Sequence, residues 1–330
     1  MKSIDRKIRW GVLGYARIAR MELIPAMQRA TNSEFFALAS RDEAKLVEAR
    51  KNSPGLARTY RGYEELLRDP DVDAVYIPLP NSLHCEWTKR AAEHGKHVLC
   101  EKPLALTAAD AREMQAACAA HGVMLMEAFM YRYTDRTRQV REILRSGLLG
   151  EIKLIQASHR FLLNRPESIK YRPELGGGAL YDVGVYPLNF AGMVVDVCAG
   201  GVRPESVSVE CVQAGGIDES FSALVKYPGG LIAALHCGFN GHKRVAAEIV
   251  GTKGVLEVPD AFLDNAGSLT LTLGEERREI PVAASDRYRL EVEDFAAAIV
   301  ASRPLPLSLD ESIRNAELLD RLLAAGRMAK

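Results

Sequence analysis

The sequence predicts an α/β protein: a doubly wound parallel sheet in the first part, then an α+β domain with a large, mostly antiparallel open sheet. Three observations carry this. Up to about residue 128, short apolar runs alternate with helical patterns, as in a parallel sheet wrapped by helices. The run Ala74-Val75-Tyr76-Ile77 is apolar at every position, which suits a strand buried on both faces. Beyond residue 151 the runs lengthen and alternate, and Tyr227-Pro228-Gly229-Gly230 reads as a turn joining two antiparallel strands.

In order along the chain, residues 8–14 form a compact apolar run ending in Gly14, the first strand. Residues 16–30 have helical spacing, 35–40 are apolar again, and 42–52 read as a helix. A strand over 74–79, a helix over 83–94 and a short strand over 97–100 follow. Thr107 suits the N-cap of a helix running to His121, and residues 123–126 close the series. After a helix over 133–146, strands fall at 153–161, 206–213, 220–226 and 231–239, with a helical apolar stretch at 179–197. Helices over 287–301 and 309–328, separated by Pro304 and Pro306, end the chain. The domains are placed at 1–128 and 129–330, with the last helix free to pack back on the first domain.

At 330 residues the chain is too long for one ordinary core. Lys+Arg and Asp+Glu each count 43, so charge gives no reason to expect nucleic acid or an anionic membrane as a partner. The charged start at residues 1–7 holds no apolar leader, and no apolar run is long enough to span a bilayer. The six cysteines (Cys85, Cys100, Cys118, Cys198, Cys211, Cys237) are scattered without a C-x-x-C pair, so no metal site is expected. They read as buried thiols in a reducing compartment, and the expected location is cytoplasmic.

The first chemical signal is Gly11-Val12-Leu13-Gly14-Tyr15-Ala16-Arg17-Ile18-Ala19, where a strand turns into a helix. In a Rossmann unit this turn aims the helix N-terminus and its free N–H groups at a pyrophosphate. Counted from Gly14 the fingerprint is G-x-A-x-x-A, with alanine where glycine is usual. The second strand ends Leu38-Ala39-Ser40-Arg41. A hydroxyl followed by a guanidinium suits a 2′-phosphate, since Arg offers planar donors and permanent charge. This favours NADP(H), while Asp42 next in line keeps NAD(H) possible.

The segment Glu101-Lys102-Pro103 resembles the E-K-P motif of the Gfo/Idh/MocA family of nicotinamide-dependent oxidoreductases. Similar stretches run through the chain: Arg9-Trp10-Gly11-Val12-Leu13-Gly14, Ile77-Pro78-Leu79-Pro80-Asn81-Ser82-Leu83-His84, Met126-Glu127-Ala128-Phe129-Met130-Tyr131-Arg132 and Leu175-Gly176-Gly177-Gly178-Ala179-Leu180-Tyr181-Asp182-Val183-Gly184-Val185-Tyr186. Within the family they look most like the branch of glucose–fructose oxidoreductase, dihydrodiol dehydrogenase and sugar dehydrogenases.

The resemblance implies roles. Lys102, just past a strand end, bonds the reacting oxygen and stabilises charge on it. Tyr186 is a proton donor for carbonyl reduction, and Asp182, four residues earlier on one helix face, holds Lys102 or a substrate hydroxyl. Cofactor contacts fall to Gly11, Gly14, Tyr15, Ala16, Arg17, Ile18, Ser40, Arg41, Leu79, Pro80, Asn81, His84, Glu101 and Lys102. His84 has the plainer alternative of a helix-surface residue. Arg132 and Arg172 are candidates for holding substrate oxygens, or else interdomain salt-bridge partners. The expected activity is hydride transfer between NADP(H) and a hydroxyl or carbonyl carbon of a sugar, polyol or vicinal diol. Two alternatives stand beside it: an NAD-dependent glycosidase of the same fold, and a non-catalytic nucleotide-binding regulator. Pairing through the open face of the second sheet implies a homodimer or homotetramer.

Overall fold

The computed structural model describes residues 6–328. The first five, part of the charged lead-in read above, lie outside it. Two compact units form. One takes the described residues up to Met130 together with Asp286–Ser312; the other takes Tyr131–Ser285 and the described residues from Ile313 on.

In the first unit, β1 (Ile8–Leu13), β2 (Ser33–Ala39), β3 (Arg58–Tyr60), β4 (Ala74–Ile77), β5 (His97–Glu101) and β6 (Leu125–Ala128) form one sheet in the order β3-β2-β1-β4-β5-β6. Every pairing is parallel. The order reverses beside β1, and at such a switch point the carboxyl ends of the strands open a crevice. Helices α1 (Ile24–Arg29), α2 (Glu43–Asn52), α3 (Tyr63–Leu67), α4 (His84–Glu93) and α5 (Ala108–Ala120) connect the strands. The strand β3 and helix α3 were not expected from sequence. Three and five residues are too few to show a period. The expected helix at 16–30 opens with a π-helical turn, Ala19–Leu23, ahead of α1. Trp10 anchors the core: it is fully buried, its indole N–H donates to Ser33 Oγ at 3.1 Å, and its ring lies 5.7 Å from that of Phe295.

In the second unit, helix α6 (Asp135–Ser146) leads into β7 (Ile152–Leu162), and α7 (Val185–Ala199) precedes the remaining strands. These are β8 (Ser206–Ala214), β9 (Ile217–Lys226), β10 (Ile232–Gly238), β11 (Asn240–Gly251), β12 (Gly254–Pro259), β13 (Gly267–Leu273) and β14 (Glu276–Val282). They form one sheet, β14-β13-β12-β11-β7-β10-β9-β8, antiparallel throughout except between β7 and β10. The turn at 227–230 joins β9 to β10 with Lys226 opposite Ile232, as expected. Helix α7 lies on one face of this sheet, and Gly326, late in the last helix, fits against Phe221 and Cys211 there. The other face presents Ser158, Ser222, Leu224 and His236.

Among the described residues no helix is long and apolar enough to cross a membrane, and no cluster of His, Cys, Asp and Glu could hold a metal. The thiols differ from the reading above. Cys100, Cys118 and Cys237 are buried, but Cys85 and Cys211 are half-buried and Cys198 is exposed. Their strand and helix positions do not reveal which face a neighbouring element will cover.

Candidate functional site

The dinucleotide turn follows from β1. Gly14 has φ +103°, a conformation that favours glycine, and its N–H donates to Ala39 O at 2.8 Å. A side chain on Gly14 would also approach Leu79 Cδ2 to 3.1 Å, and one on Gly11 would meet Leu66 at 2.6 Å. Both glycines are therefore fixed by close packing, Gly14 against the β4 loop and Gly11 against α3. Tyr15 is buried, Ala16 and Ile18 are half-buried, and Arg17 is exposed at the helix start.

At the end of β2, Ser40 is buried and its Oγ accepts the Asp42 N–H at 3.1 Å. The Asp42 carboxylate accepts the Ala44 N–H at 3.0 Å and caps α2. Arg41 is exposed, its guanidinium 5.8 Å from the centre of the Tyr63 ring. The acidic residue of this strand end is thus engaged by its own helix, and the basic one faces water.

Beyond β4, Pro80 starts a short 3-10 turn through Asn81, both half-buried. His84 is not the surface residue allowed for above: it is completely buried. Its Nδ1 lies 2.9 Å from Pro103 O and its Nε2 lies 2.9 Å from Leu79 O. Burial pulls its pKa below the usual histidine range, against the two carbonyls, which raise it.

Lys102 follows β5 directly and is half-buried. Its backbone N–H donates to Glu101 Oε2 at 3.2 Å, and Tyr76 OH donates to Glu101 Oε1 at 2.5 Å. The Lys102–Pro103 peptide is cis. Next to it, the Leu104 N–H donates to Glu127 Oε1 at 2.9 Å. Glu127 sits at the end of β6, and burial raises its carboxyl to about 7. Cys100, one strand position earlier, is a buried thiol pushed well up by desolvation, so it is no reactive thiolate.

The second unit carries the other candidates. Gly177 and Gly178 permit a tight approach: a side chain on Gly177 would strike the backbone of Lys170 and Arg172 at 2.6–2.9 Å. A π-helical turn, Leu180–Gly184, then runs into α7, a feature the 3.6-residue pattern does not predict. Asp182 lies in that turn and Tyr186 in the first turn of α7. Asp182 Oδ2 forms an ion pair with Lys170 Nζ at 2.6 Å. The Tyr186 ring is buried beside His159, Phe262 and Tyr131, with centroids at 5.0, 5.6 and 6.0 Å. One turn on, Asn189 Oδ1 accepts both Tyr131 OH at 2.6 Å and Arg132 Nη1 at 3.1 Å. Arg132 is buried in this network, whereas Arg172 is exposed on its loop.

Sequence reasoning missed Lys170, His159, Asn189 and Phe262. Asn189 had a signal, three residues after Tyr186 on the same helix. The others come from distant strands and loops, and no local spacing announces them.

Residues 8–129 match the family model GFO_IDH_MocA, described as an oxidoreductase family with an NAD-binding Rossmann fold, and residues 137–257 match its C-terminal domain model. The chain belongs to the Gfo/Idh/MocA oxidoreductase family. It is accordingly an NAD(P)-dependent oxidoreductase. It is 38% identical over 328 residues to an uncharacterised oxidoreductase of Rhizobium meliloti, covering 96% of each chain. It is 34% identical to a D-xylose 1-dehydrogenase (NADP+) of Haloferax volcanii, covering 95% of each. Its fold matches a 3-ketoreductase of Actinomadura kijaniata, solved with NADP and TDP-benzene, at a TM-score of 0.88 and 30% identity, over 97% of this chain and 98% of that one.

Proposed function

We propose that this enzyme is NADP(H)-dependent and moves a hydride between the nicotinamide and a hydroxyl or carbonyl carbon of a sugar, polyol or vicinal diol. The observation that carries the reading is the anchoring of Lys102. The Pro103–Leu104 peptide beside it is held on its carbonyl side by His84 and on its N–H side by Glu127. An ammonium on so fixed a support suits a developing oxyanion, which rewards preorganised charge.

The residues present fit the dinucleotide. Gly14 lets the chain turn tightly with φ +103°, and the helix start after it offers N–H groups to a pyrophosphate. Arg41 is exposed at the strand end, and Asp42 is spent on its helix cap, so a 2′-phosphate meets a cation there rather than an unengaged carboxylate. When bound, the nicotinamide would supply or accept the hydride. Lys102 holds the substrate oxygen, and Tyr186 gives it a proton in reduction or takes one in oxidation. Asp182, charged beside Lys170, accepts a neighbouring substrate hydroxyl, and Arg132 holds another oxygen.

The same reading places the enzyme in the cytoplasm as a homodimer. On the open face of the second sheet a groove of about 570 Å³ has Arg160 opposite Arg244 at one end and Glu248 opposite Glu257 at the other. A two-fold axis parallel to the sheet, and perpendicular to the line joining the two ends, sets the arginine end of one copy on the glutamate end of the next.

A spectrophotometric screen with NADP+ and NAD+ across aldoses, polyols, vicinal diols and keto-sugars tests the activity. Turnover without net change in nicotinamide absorbance would instead indicate oxidation and re-reduction within one cycle.

A further inference from the structure

His84 is the first residue of α4, yet its ring points away from solvent altogether. Each ring nitrogen stands 2.9 Å from a backbone carbonyl, and the two carbonyls belong to different loops. Leu79 lies just beyond β4, and its side chain abuts Gly14 of the dinucleotide turn. Pro103 follows Lys102 beyond β5. An imidazole is rigid, so although a neutral ring donates to one of the two carbonyls and only packs against the other, a buried ring wedged between them fixes the spacing between the two loops it touches. Glu127 holds the opposite edge of the same Pro103–Leu104 peptide, so that peptide has little freedom left.

We propose that His84 is a positioning residue that locks the loop bearing Lys102 to the loop bearing Leu79, Pro80 and Asn81. It sets the distance between the reacting oxygen and the nicotinamide without touching either. The inference rests on the reading of Lys102 as the group that meets that oxygen.

The two contacts can be separated by substitution. The amide nitrogen of asparagine falls where Nδ1 stands, so His84→Asn keeps the Pro103 contact and gives up Leu79. The amide nitrogen of glutamine falls where Nε2 stands, so His84→Gln keeps Leu79 and gives up Pro103. Steady-state kinetics and cofactor titration then read a crossed pattern. His84→Gln loses at least ~10-fold in kcat, as a small misplacement of a catalytic group does. Its affinity for NADPH stays close to that of the unaltered enzyme. His84→Asn weakens NADPH binding by about fivefold and loses less kcat than the glutamine variant. Equal losses of both quantities in the two variants would mean that His84 supports the fold only, and would overturn the proposal.

Lys102→Met, measured in parallel, keeps the two ideas apart. Retained turnover there removes the role of Lys102 and the purpose of the clamp with it. Lost turnover there, with no crossed pattern at His84, removes the clamp alone. If either His84 variant does not fold, NMR of the unaltered enzyme with ¹⁵N-labelled histidine decides. A ring buried between the two loops titrates below the ordinary histidine range, whereas one titrating at the ordinary value would be open to solvent and would overturn the clamp.

Discussion

The carboxylate of Asp218 on β9 accepts the Leu180 N–H at 2.6 Å, at the start of the turn that carries Asp182 and leads to Tyr186. The same carboxylate fills the space a side chain on Gly178 would need, its Oδ1 only 2.3 Å from that Cβ position, and Gly178 also has φ +124°. One buried acid thus aligns the glycine turn and the helix behind it. Burial raises its carboxyl to about 6, partly offset by the backbone N–H groups it accepts.

That shift has a sign in stability. A carboxyl at about 6 in the folded chain, against 3.8 as its ordinary value, takes up a proton on folding between those values. Its contribution is fully present below about pH 4 and is lost as pH rises through about 6. Against Asp218→Asn, which does not titrate, the unaltered enzyme should therefore gain relative stability as pH falls from 7 to 5. Urea unfolding of both proteins across that range checks it, and a pH-independent difference would show that Asp218 is an ordinary exposed carboxylate.

Lys102→Met should lower kcat by at least about a hundredfold with little change in cofactor affinity, because the lost charge acts on the developing oxyanion. Single-turnover kinetics and NADPH titration read the two effects separately. Near-normal turnover on the best substrate would disprove the mechanism.

Tyr186→Phe should cut kcat by ~10²-fold or more and remove one limb of the pH–rate profile, as loss of a general acid does. The ring keeps its neighbours His159, Phe262 and Tyr131, so thermal stability should change little. A profile that keeps both limbs would transfer the proton-donor role to Lys102.

Arg41→Ala should reduce the preference for NADPH over NADH by about tenfold or more, since a charge-assisted contact is worth roughly 1.5–3 kcal/mol. Fluorescence titration with both cofactors measures it. Equal affinities in the unaltered enzyme would sink the idea before any variant is made.

Light scattering at micromolar concentration should give at least twice the chain mass of 36.3 kDa. Reversing both arginines, Arg160→Glu with Arg244→Glu, should set like charges against each other across the two-fold axis and yield monomers. A monomeric unaltered enzyme would rule the pairing out.

The sequence by itself determined the parallel sheet, because buried strands and their crossover helices write their periods locally, and the residues at 74–77 declare a strand covered on both faces. It also determined the motifs: Gly14, Ser40-Arg41 and Glu101-Lys102-Pro103 each stand at the end of a strand, where chain order alone fixes the neighbourhood. It did not reveal β11 to β14; of these, β13 buries three residues in a row and β14 is exposed along most of its length, so neither writes a two-residue period. Only the tertiary structure decided that His84 is buried between two carbonyls, that Asp182 pairs with Lys170, and that Asp218 caps the turn before Asp182. Each of these depends on residues brought together by packing rather than by spacing. Burial and hydrogen bonding are properties of a side chain's neighbours, and those neighbours are chosen by the fold.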